Sequence, residues 1–491
     1  MEHIPVIIGV GQSIHRDDGD WAGAEPLRLM LTAAHNAFDD GRLAAATEVD
    51  SIDVLHIQAW RYDDVAALLA DRLGCGVVRG TSYAVGGETP LRVLDDVARR
   101  VQRGETRCAL IVGAESTRAA DRCAKVDGDL GWTPMAVPRP KWQLPQTWRR
   151  IVDIGVQRAM HIFALYENAL RAHEGIALSD AQDESAALWA ALSRVAAANP
   201  YSWSTEPVSA TTVRTVTTDN RRVCFPFTKR MTANPFVNQG AALLVTDTET
   251  ARRLRVPEAQ WVYPWGSAGA DEPAEVLSRT SFHRSAAVER AILRTQELTG
   301  TATDDYSLVE LYSCFPTMPK LSGRVLGPIK PEAPTVTGGL SFFGGPGSNY
   351  LTHSIAAMAL RLRDNGGLGF IHGVGEMMTK HHGLVLGSEP RDGGYASDPD
   401  GIVAIAPGEM TIDDDYEGAG TIETCSVSYT RDGTPDYGIV IGRGRAGQRF
   451  GARVDADDTA TIAALESSTR EAIGTSGRVF TAPHGRRFTF E

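Results

Sequence analysis

Residues 108–113 of the chain read CALIVG, and residues 240–246 read GAALLVT. Continuous apolar runs of this length are typical of strands that are buried on both faces of a sheet. The segment 89–102, just before the first run, instead carries its apolar residues at helical spacing and is followed by Gly104. Buried strands that alternate with helices predict an α/β fold built on a largely parallel sheet.

Two other parts of the sequence break this rhythm. From about residue 120 to 237 the alternation is lost, which predicts an insertion packed over an edge of the sheet. Near the C-terminus, residues 421–429, 437–443 and 448–454 are strand-like and are separated by turn sequences that contain glycine. They predict a small antiparallel β domain.

The composition excludes several classes of function. The 491 residues include 49 Lys and Arg against 61 Asp and Glu, a net charge of −12, with no basic run. This balance argues against a surface for nucleic acid or for an anionic membrane. Six cysteines without a CxxC pair fit neither a disulfide framework nor a zinc site, so no metal is expected. No apolar run approaches the roughly 18 residues of a membrane helix, and the start carries no secretory signal, so we expect a cytoplasmic protein.

Three glycine-rich loops lie beside predicted helices or strands. A helix N-terminus offers free backbone N–H groups, and glycines let a ligand approach them, so such loops suit an anion or a developing oxyanion. Tight turns between strand and helix are the alternative explanation. The glycines concerned are Gly86, Gly87, Gly344, Gly345, Gly373 and Gly375.

Residues near these loops could carry chemistry. The segment 309–315 (VELYSCF) reads as a strand that runs into a loop, with Tyr312 and Cys314 on one side of it. A cysteine reacts as its thiolate, and no neighbouring cation is evident in sequence, so a structural role competes for Cys314. Histidines could carry protons, although a lone helix histidine is more often a packing residue. The candidates are His353 after the second loop and His372, Lys380, His381 and His382 at the third.

A basic group within the insertion could bind a phosphate-bearing ligand. Four cations lie close together in the sequence there, namely Arg221, Arg222, Lys229 and Arg230. A solvated loop is the alternative explanation for them.

Together these segments resemble the thiolase superfamily. The matching blocks include VIIGVG at 6–11, VGGETP at 85–90, GAES at 113–116, VELYSCF at 309–315 and GGLSFFGGPG at 338–347. More closely, the chain is similar to thiolase-like proteins, relatives of sterol-carrier-type thiolases that are often labelled acetyl-CoA acetyltransferases. These carry an additional C-terminal β domain, and the resemblance covers nearly the whole chain.

The resemblance implies a thiolase fold of two βαβαβαββ halves that form a five-layered αβαβα core. The N-terminal half would span residues 1–250 and contain an inserted loop domain at 120–237. The C-terminal half would span 251–400, followed by an OB-like β domain at 410–491. The implied ligand is CoA or an acyl-CoA, whose pantetheine passes between the loop domain and the core, and no tightly bound cofactor is implied. The four cations of the insertion would then bind the CoA phosphates.

The chain departs from the thiolase pattern at all three catalytic positions. The nucleophilic cysteine of thiolases falls on Gly87, and the histidine of their Gly-His-Pro motif falls on Gly345. The cysteine of their Cys-x-Gly motif falls on Ile371. Thiolysis or condensation through an acyl-cysteine is therefore not expected.

Three functions stay open at this point. The first is binding of CoA thioesters without thiolase chemistry. The second is a retro-aldolase for β-hydroxyacyl-CoA, because the thiolase-fold aldolases that this chain resembles use tyrosines, and Tyr312 and Tyr350 lie near the loops. The third is acyl transfer through another residue, such as Cys314 or a histidine. The resemblance links these functions to lipid metabolism and leaves both a monomer and a homodimer open.

Overall fold

A computed structural model describes residues 3–43, 46–76, 78–135, 148–329 and 333–490. Strands and helices alternate through the first 124 residues, as the apolar pattern predicts. These elements are β1 (Pro5–Ile14), α1 (Pro26–Asp40), β2 (Ser51–Val54), α2 (Val65–Leu73), β3 (Arg79–Ser82), α3 (Thr89–Gln102), β4 (Cys108–Glu115) and α4 (Thr117–Ala124).

The predicted insertion is largely helical in its described part, and residues 136–147 lie outside the described ranges. Its elements are α5 (Arg149–Asp153), α6 (Ala159–His173), α7 (Leu178–Ala197), α8 (Ala210–Arg214), β5 (Arg222–Cys224) and β6 (Phe227–Thr228). Within this insertion, β5 and β6 pair with each other, and β5 pairs onward to a strand of the C-terminal domain. The apolar residues of this segment show no strand periodicity, so its strands form because they pair with other parts of the fold.

The chain returns to the first sheet with β7 (Gln239–Asp247), which is followed by α9 (Thr248–Arg253). The strand order is β1-β7-β4-β2-β3. β7 runs antiparallel to both of its neighbours, whereas β4, β2 and β3 run parallel. The expectation of a largely parallel sheet is thus wrong for half of the pairings, because the insertion lets β7 enter the sheet from the opposite end.

The second half repeats this plan. Its elements are β8 (Tyr263–Asp271), α10 (Ala286–Thr299), β9 (Tyr306–Leu311), α11 (Thr317–Leu326), α12 (Tyr350–Asn365), β10 (Leu368–Gly375), β11 (Lys380–Gly387) and β12 (Ala396–Ala404). The strand order is β12-β8-β11-β10-β9, again with two parallel and two antiparallel pairings.

The two sheets and their helices form five layers. α1 and α2 pack on the outer face of the first sheet, and α10 and α11 on that of the second. α3 and α12 lie side by side between the sheets. Each of these two central helices follows a glycine-rich loop, so the fold brings both loops to the middle of the core. The predicted αβαβα architecture is confirmed.

The C-terminal domain is a closed five-stranded barrel. It consists of β13 (Gly418–Tyr429), β14 (Pro435–Gly444), β15 (Arg449–Asp455), α13 (Thr459–Leu465), β16 (Ser476–Ala482) and β17 (Gly485–Thr489). β13 pairs with both β14 and β16, and β15 closes the barrel on β17 in parallel. A five-stranded barrel with a helix between its third and fourth strands is the OB-like arrangement that the resemblance implies.

Side chains of the barrel attach it firmly to the rest of the molecule. The buried guanidinium of Arg449 bridges Glu423 within the barrel and the backbone carbonyl of Leu277 in the second half. Thr424 Oγ1 donates to the carbonyl of Leu165 on α6 at 2.6 Å. Because a buried charge is tolerated only where it is paired and hydrogen-bonded, Arg449 fixes the barrel in one position.

Candidate functional site

The first glycine loop ends at Gly87, just before α3, where its missing side chain leaves room for another residue. A Cβ at this position would lie 2.3 Å from the hydroxyl oxygen of Tyr312 and 2.4 Å from the carbonyl oxygen of Val374. The phenol of Tyr312 therefore occupies the space that a side chain at residue 87 would need. No residue larger than glycine fits here without a shift.

Tyr312 reaches this point from the end of β9, inside the core. Its backbone N–H donates to the carbonyl of His372 on β10 at 3.1 Å, and its ring meets that of Tyr350 edge to face at 5.6 Å. Burial raises the pKa of the Tyr312 phenol well above its usual value, with smaller contributions from Cys314 and Glu88. At neutral pH the phenol is protonated, so it can donate a hydrogen bond but does not act as a base.

Glu88, which follows Gly87, is a buried carboxylate that the sequence analysis missed. Its residue is 1% exposed, and Oε1 forms an ion pair with Arg92 Nε at 3.3 Å. Oε2 is fully buried and has no hydrogen-bond partner among the described residues. Burial raises the pKa of Glu88 and Arg92 opposes the rise. A glutamate at a helix start usually faces water, so the sequence alone gives no signal of its burial.

The glycines of the third loop make room for this carboxylate. A Cβ at Gly375 would lie 1.8 Å from Glu88 Oε2, and one at Gly373 would lie 3.1 Å from the Cα atom of Glu88. A Cβ at Gly86 would also meet Glu88, 2.6 Å from Oε2. The structure thus brings the first and third glycine loops together around one acidic side chain.

Tyr350, at the start of α12, belongs to a saturated hydrogen-bond network. Its hydroxyl donates to Glu310 Oε1 at 2.7 Å and lies 2.7 Å from Thr337 Oγ1. Glu310 Oε2 accepts from the backbone N–H of Val336 at 2.7 Å and from Thr335 Oγ1 at 2.9 Å. Burial raises the pKa of both Glu310 and Tyr350. In the sequence, Glu310 could have been recognised as a charged residue within an otherwise apolar strand.

The second glycine loop is less crowded than the first at the position of the missing histidine. A Cβ at Gly345 would meet its nearest neighbour, the carbonyl oxygen of Asn234, at 3.4 Å, which is an ordinary contact. The neighbouring Gly344 has a φ of 118°, and a Cβ there would lie 2.6 Å from Gln239 Oε1. The backbone N–H of Gly86 donates to Ser348 Oγ at 3.2 Å, which links this loop to the first.

The third catalytic position of thiolases falls on Ile371, which is fully buried in β10. The neighbouring His372 is engaged in contacts with other side chains. His372 Nδ1 lies 2.9 Å from Ser322 Oγ, and the ring stacks on His381 at 5.5 Å between centroids. Burial lowers the pKa of His372 well below its usual value and that of His381 to about 3. Both rings are neutral at physiological pH.

Two further candidates from the sequence are buried as well. His353 Nδ1 lies 2.8 Å from Gln12 Oε1, and burial lowers the pKa of this histidine to about 3. Burial raises the pKa of the Cys314 thiol well above its usual value, which disfavours the reactive thiolate. Their proposed catalytic roles stay predictions.

The basic residues of the insertion lie against the C-terminal barrel. Arg221 donates to the carbonyl of Thr430, and Arg222 contacts Tyr429 Oη at 3.0 Å and Glu466 Oε2 at 3.4 Å. A cleft of about 650 Å³ lies here, lined among others by Arg221, Arg222 and Arg431. The other two predicted cations, Lys229 and Arg230, form the turn that follows β6. Binding of CoA phosphates at these residues stays a prediction.

A cluster with metal-ligand chemistry lies elsewhere. Among the described residues, His3, Asp247 and Glu249 bring ligand atoms within 4.8 Å of one another. They lie at the end of β7 opposite to Gln239, whose side chain bonds the second glycine loop. This cluster is therefore remote from the loops.

No helix in the described ranges is long and apolar enough to cross a membrane.

Comparison with known proteins shows which family the chain resembles. The family described as the thiolase-like protein type 1 additional C-terminal domain matches residues 405–482. A monomeric SCP2-thiolase-like protein type 1 from Mycobacterium smegmatis superposes with a TM-score of 0.82 and 29% identity over 99% of both chains. The fold and the domain organisation of this chain are those of a thiolase-like protein. A comparison with curated proteins gives no significant match.

More distant structures share only the fold of this chain. An Ltp2-ChsH2(DUF35) aldolase superposes with a TM-score of 0.59 and 17% identity, over 78% of this chain and 97% of the other. An acetyl-CoA acetyltransferase from Syntrophomonas wolfei gives 0.58 and 13%, over 79% and 100%. The thiolase fold of the core is thereby confirmed.

Proposed function

We propose that this thiolase-like protein binds CoA thioesters without forming an acyl-cysteine. One observation carries the proposal: the hydroxyl of Tyr312 lies in the space of a side chain at Gly87, the position of the thiolase nucleophile. A thioester at the start of α3 would meet a phenol O–H and backbone N–H groups, which bind its carbonyl oxygen but do not attack its carbon.

Two measurements test this proposal together. Titration calorimetry with acetyl-CoA and acetoacetyl-CoA should show binding, and intact-protein mass spectrometry after incubation should show no added acetyl group. An acetyl adduct that disappears in Cys314→Ser would contradict the proposal and support acyl transfer through that thiol. Absence of binding to both thioesters would overturn the ligand assignment.

We propose further that Arg221 and Arg222 bind the CoA phosphates, together with Arg431 of the barrel. The cleft between insertion and barrel supports this, because Arg221 and Arg431 form no ion pair with a carboxylate of the described residues, whereas Arg222 pairs with Glu466. Arg221→Gln should weaken CoA binding about tenfold, as expected for a charge-assisted hydrogen bond. Arg252→Gln, a surface arginine paired with Glu258, is the matched control and should leave it unchanged.

A second candidate is retro-aldol cleavage of a β-hydroxyacyl-CoA. It is favoured by the free position of the Tyr312 hydroxyl, which can donate to an enolate oxygen, whereas the hydroxyl of Tyr350 is committed to Glu310. Cleavage of 3-hydroxyacyl-CoA thioesters in the absence of free CoA, followed by product mass spectrometry, tests it. Loss of cleavage in Tyr312→Phe with retained binding would support this candidate, and an unchanged rate in that variant would contradict it.

We propose a monomer as the assembly state. The support is the Mycobacterium smegmatis relative, which is described as monomeric and matches over the whole chain. Light scattering coupled to size exclusion should give the mass of one chain, and the mass of two chains would contradict it.

A further inference from the structure

Glu88 has features that its place in the helix does not explain. It lies at the N-terminus of α3, yet its side chain makes no capping hydrogen bond to the helix. Of its two carboxylate oxygens, one is paired with Arg92, and the other is buried without a hydrogen-bond partner in the described part of the chain. A buried carboxylate oxygen that is left without a hydrogen bond costs stability, and such groups are found where chemistry requires them.

The surroundings of Glu88 are those of the vacated thiolase centre. Gly87 precedes Glu88 in the sequence, and the hydroxyl of Tyr312 lies 2.3 Å from the position of a Cβ on Gly87. Glu88 also contributes to the raised pKa of the Tyr312 phenol. Gly86 and Gly375 make room for the carboxylate from two sides, since a Cβ at either would lie within 2.6 Å of Oε2. Two glycine loops are thus shaped around a group that is absent from the thiolase catalytic set.

Other titratable groups near this centre are less suited to accept a proton. Glu310 is saturated by hydrogen bonds from Tyr350, Thr335 and the backbone of Val336. His353 and His372 are kept neutral by burial, which lowers their pKa far enough to make them weak bases. For Glu88 the effect of burial is opposite, because a raised pKa brings a carboxylate closer to neutral pH and makes it a better base.

We propose that Glu88 is the acid–base residue of this centre and moves a proton on the acyl part of a bound CoA thioester. This inference rests on the proposed thioester binding. In its simplest step the Glu88 carboxylate removes a proton from the carbon next to the thioester carbonyl. The C–H electron pair moves to the carbonyl oxygen, and Tyr312 donates a hydrogen bond to the resulting enolate. The proton then returns from the Glu88 carboxyl, and no bond to the protein forms.

The same carboxylate can also take up and return the proton that the cleavage of a β-hydroxyacyl thioester requires. Glu88 takes the proton of the β-hydroxyl, the bond between the α and β carbons breaks, and its electron pair becomes the enolate. Protonation of the α carbon by the Glu88 carboxyl releases a shortened acyl-CoA and a carbonyl compound. No oxidant, metal or free CoA is consumed.

Exchange of the α protons of acetyl-CoA for deuterium in D₂O, followed by NMR, tests this role without knowledge of the natural substrate. Glu88→Gln should lower the exchange rate at least about 100-fold, the usual contribution of a positioned base, while acetyl-CoA binding stays within about threefold. Glu88→Asp should keep part of the activity. Glu258→Gln is the matched control, because it removes an exposed carboxylate that is paired with Arg252 on the surface, and its rate should equal that of the wild type.

The outcomes separate the two proposals. Binding without exchange in the wild type, or an unchanged rate in Glu88→Gln, would overturn the role of Glu88 and leave thioester binding in place. Absence of acetyl-CoA binding would overturn both. Thermal melting of each variant shows that a lost rate is not a lost fold.

Discussion

Two glutamate–tyrosine pairs lie buried near the centre of the core, and they differ in one respect. Glu310 and Tyr350, in the second half, form a network in which both carboxylate oxygens accept hydrogen bonds. At the first glycine loop, where Glu88 and Tyr312 lie, Glu88 Oε2 has no hydrogen-bond partner within the described ranges. Saturated buried polar groups stabilise and position a fold, whereas unsatisfied ones reduce stability and are free to meet a ligand. The contrast separates a structural pair from a functional one.

The largest effect should follow loss of the carboxylate in the saturated pair. Glu310→Ala removes the acceptor for the Val336 N–H and the Tyr350 hydroxyl and leaves a cavity, so stability should fall by about 3–5 kcal/mol. Urea unfolding followed by circular dichroism measures this loss. Glu376→Ala, at an exposed turn, is the control and should change stability by less than about 1 kcal/mol. A similarly small loss for Glu310→Ala would show that the network is not structural.

Removal of one hydroxyl from each pair should give a smaller but still clear difference. Tyr350→Phe removes the hydrogen bond to Glu310 Oε1 and the contact with Thr337 Oγ1, so we expect a loss of about 1–3 kcal/mol. Tyr312→Phe is the matched variant, and it should stay within about 0.5 kcal/mol of the wild type, because the Tyr312 hydroxyl forms no hydrogen bond with any of the described residues. Equal losses in both variants would remove the distinction between the pairs.

The two glycine loops offer a comparable test of packing. In Gly87→Ala the new methyl group would meet the Tyr312 hydroxyl and the Val374 carbonyl oxygen at 2.3 and 2.4 Å, so overpacking should cost about 1–3 kcal/mol. In Gly345→Ala the nearest contact is 3.4 Å, and the cost should stay below about 1 kcal/mol. Differential scanning calorimetry of the two variants measures the difference. A more stable Gly87→Ala would mean that Tyr312 does not occupy this space in solution.

The same loops show how far the sequence could predict the site. The layered core, the OB-like barrel and the glycine loops follow from apolar periodicity, turn residues and the resemblance, and the thiolase fold is confirmed. What fills the vacant position at Gly87 could not be predicted, because Tyr312 arrives from a strand more than 200 residues away in sequence. Local patterns do not encode which side chains meet across a core, and so neither the burial of Glu88 nor the saturation of Tyr350 was evident.

The smallest effect should come from Glu88→Gln, and it should depend on pH. Burial raises the pKa of Glu88 above the usual 4.5, an effect that Arg92 and Lys380 oppose and Glu376 reinforces. The folded protein therefore keeps this proton at a pH where the unfolded chain has lost it. Stability conferred by the wild-type residue must then fall as the pH rises from about 4.5 through the folded pKa, whereas glutamine does not titrate.

The stability of Glu88→Gln relative to the wild type should accordingly increase over that range and level off above it. Urea unfolding of both proteins at a series of pH values between about 4 and 8 measures the difference. A difference that stays flat would mean that Glu88 is solvated in solution, and one that decreases would mean that Arg92 outweighs burial. Either result would place Glu88 with the structural pair, because a carboxylate whose pKa is not raised in the folded protein is a weak base toward a bound thioester.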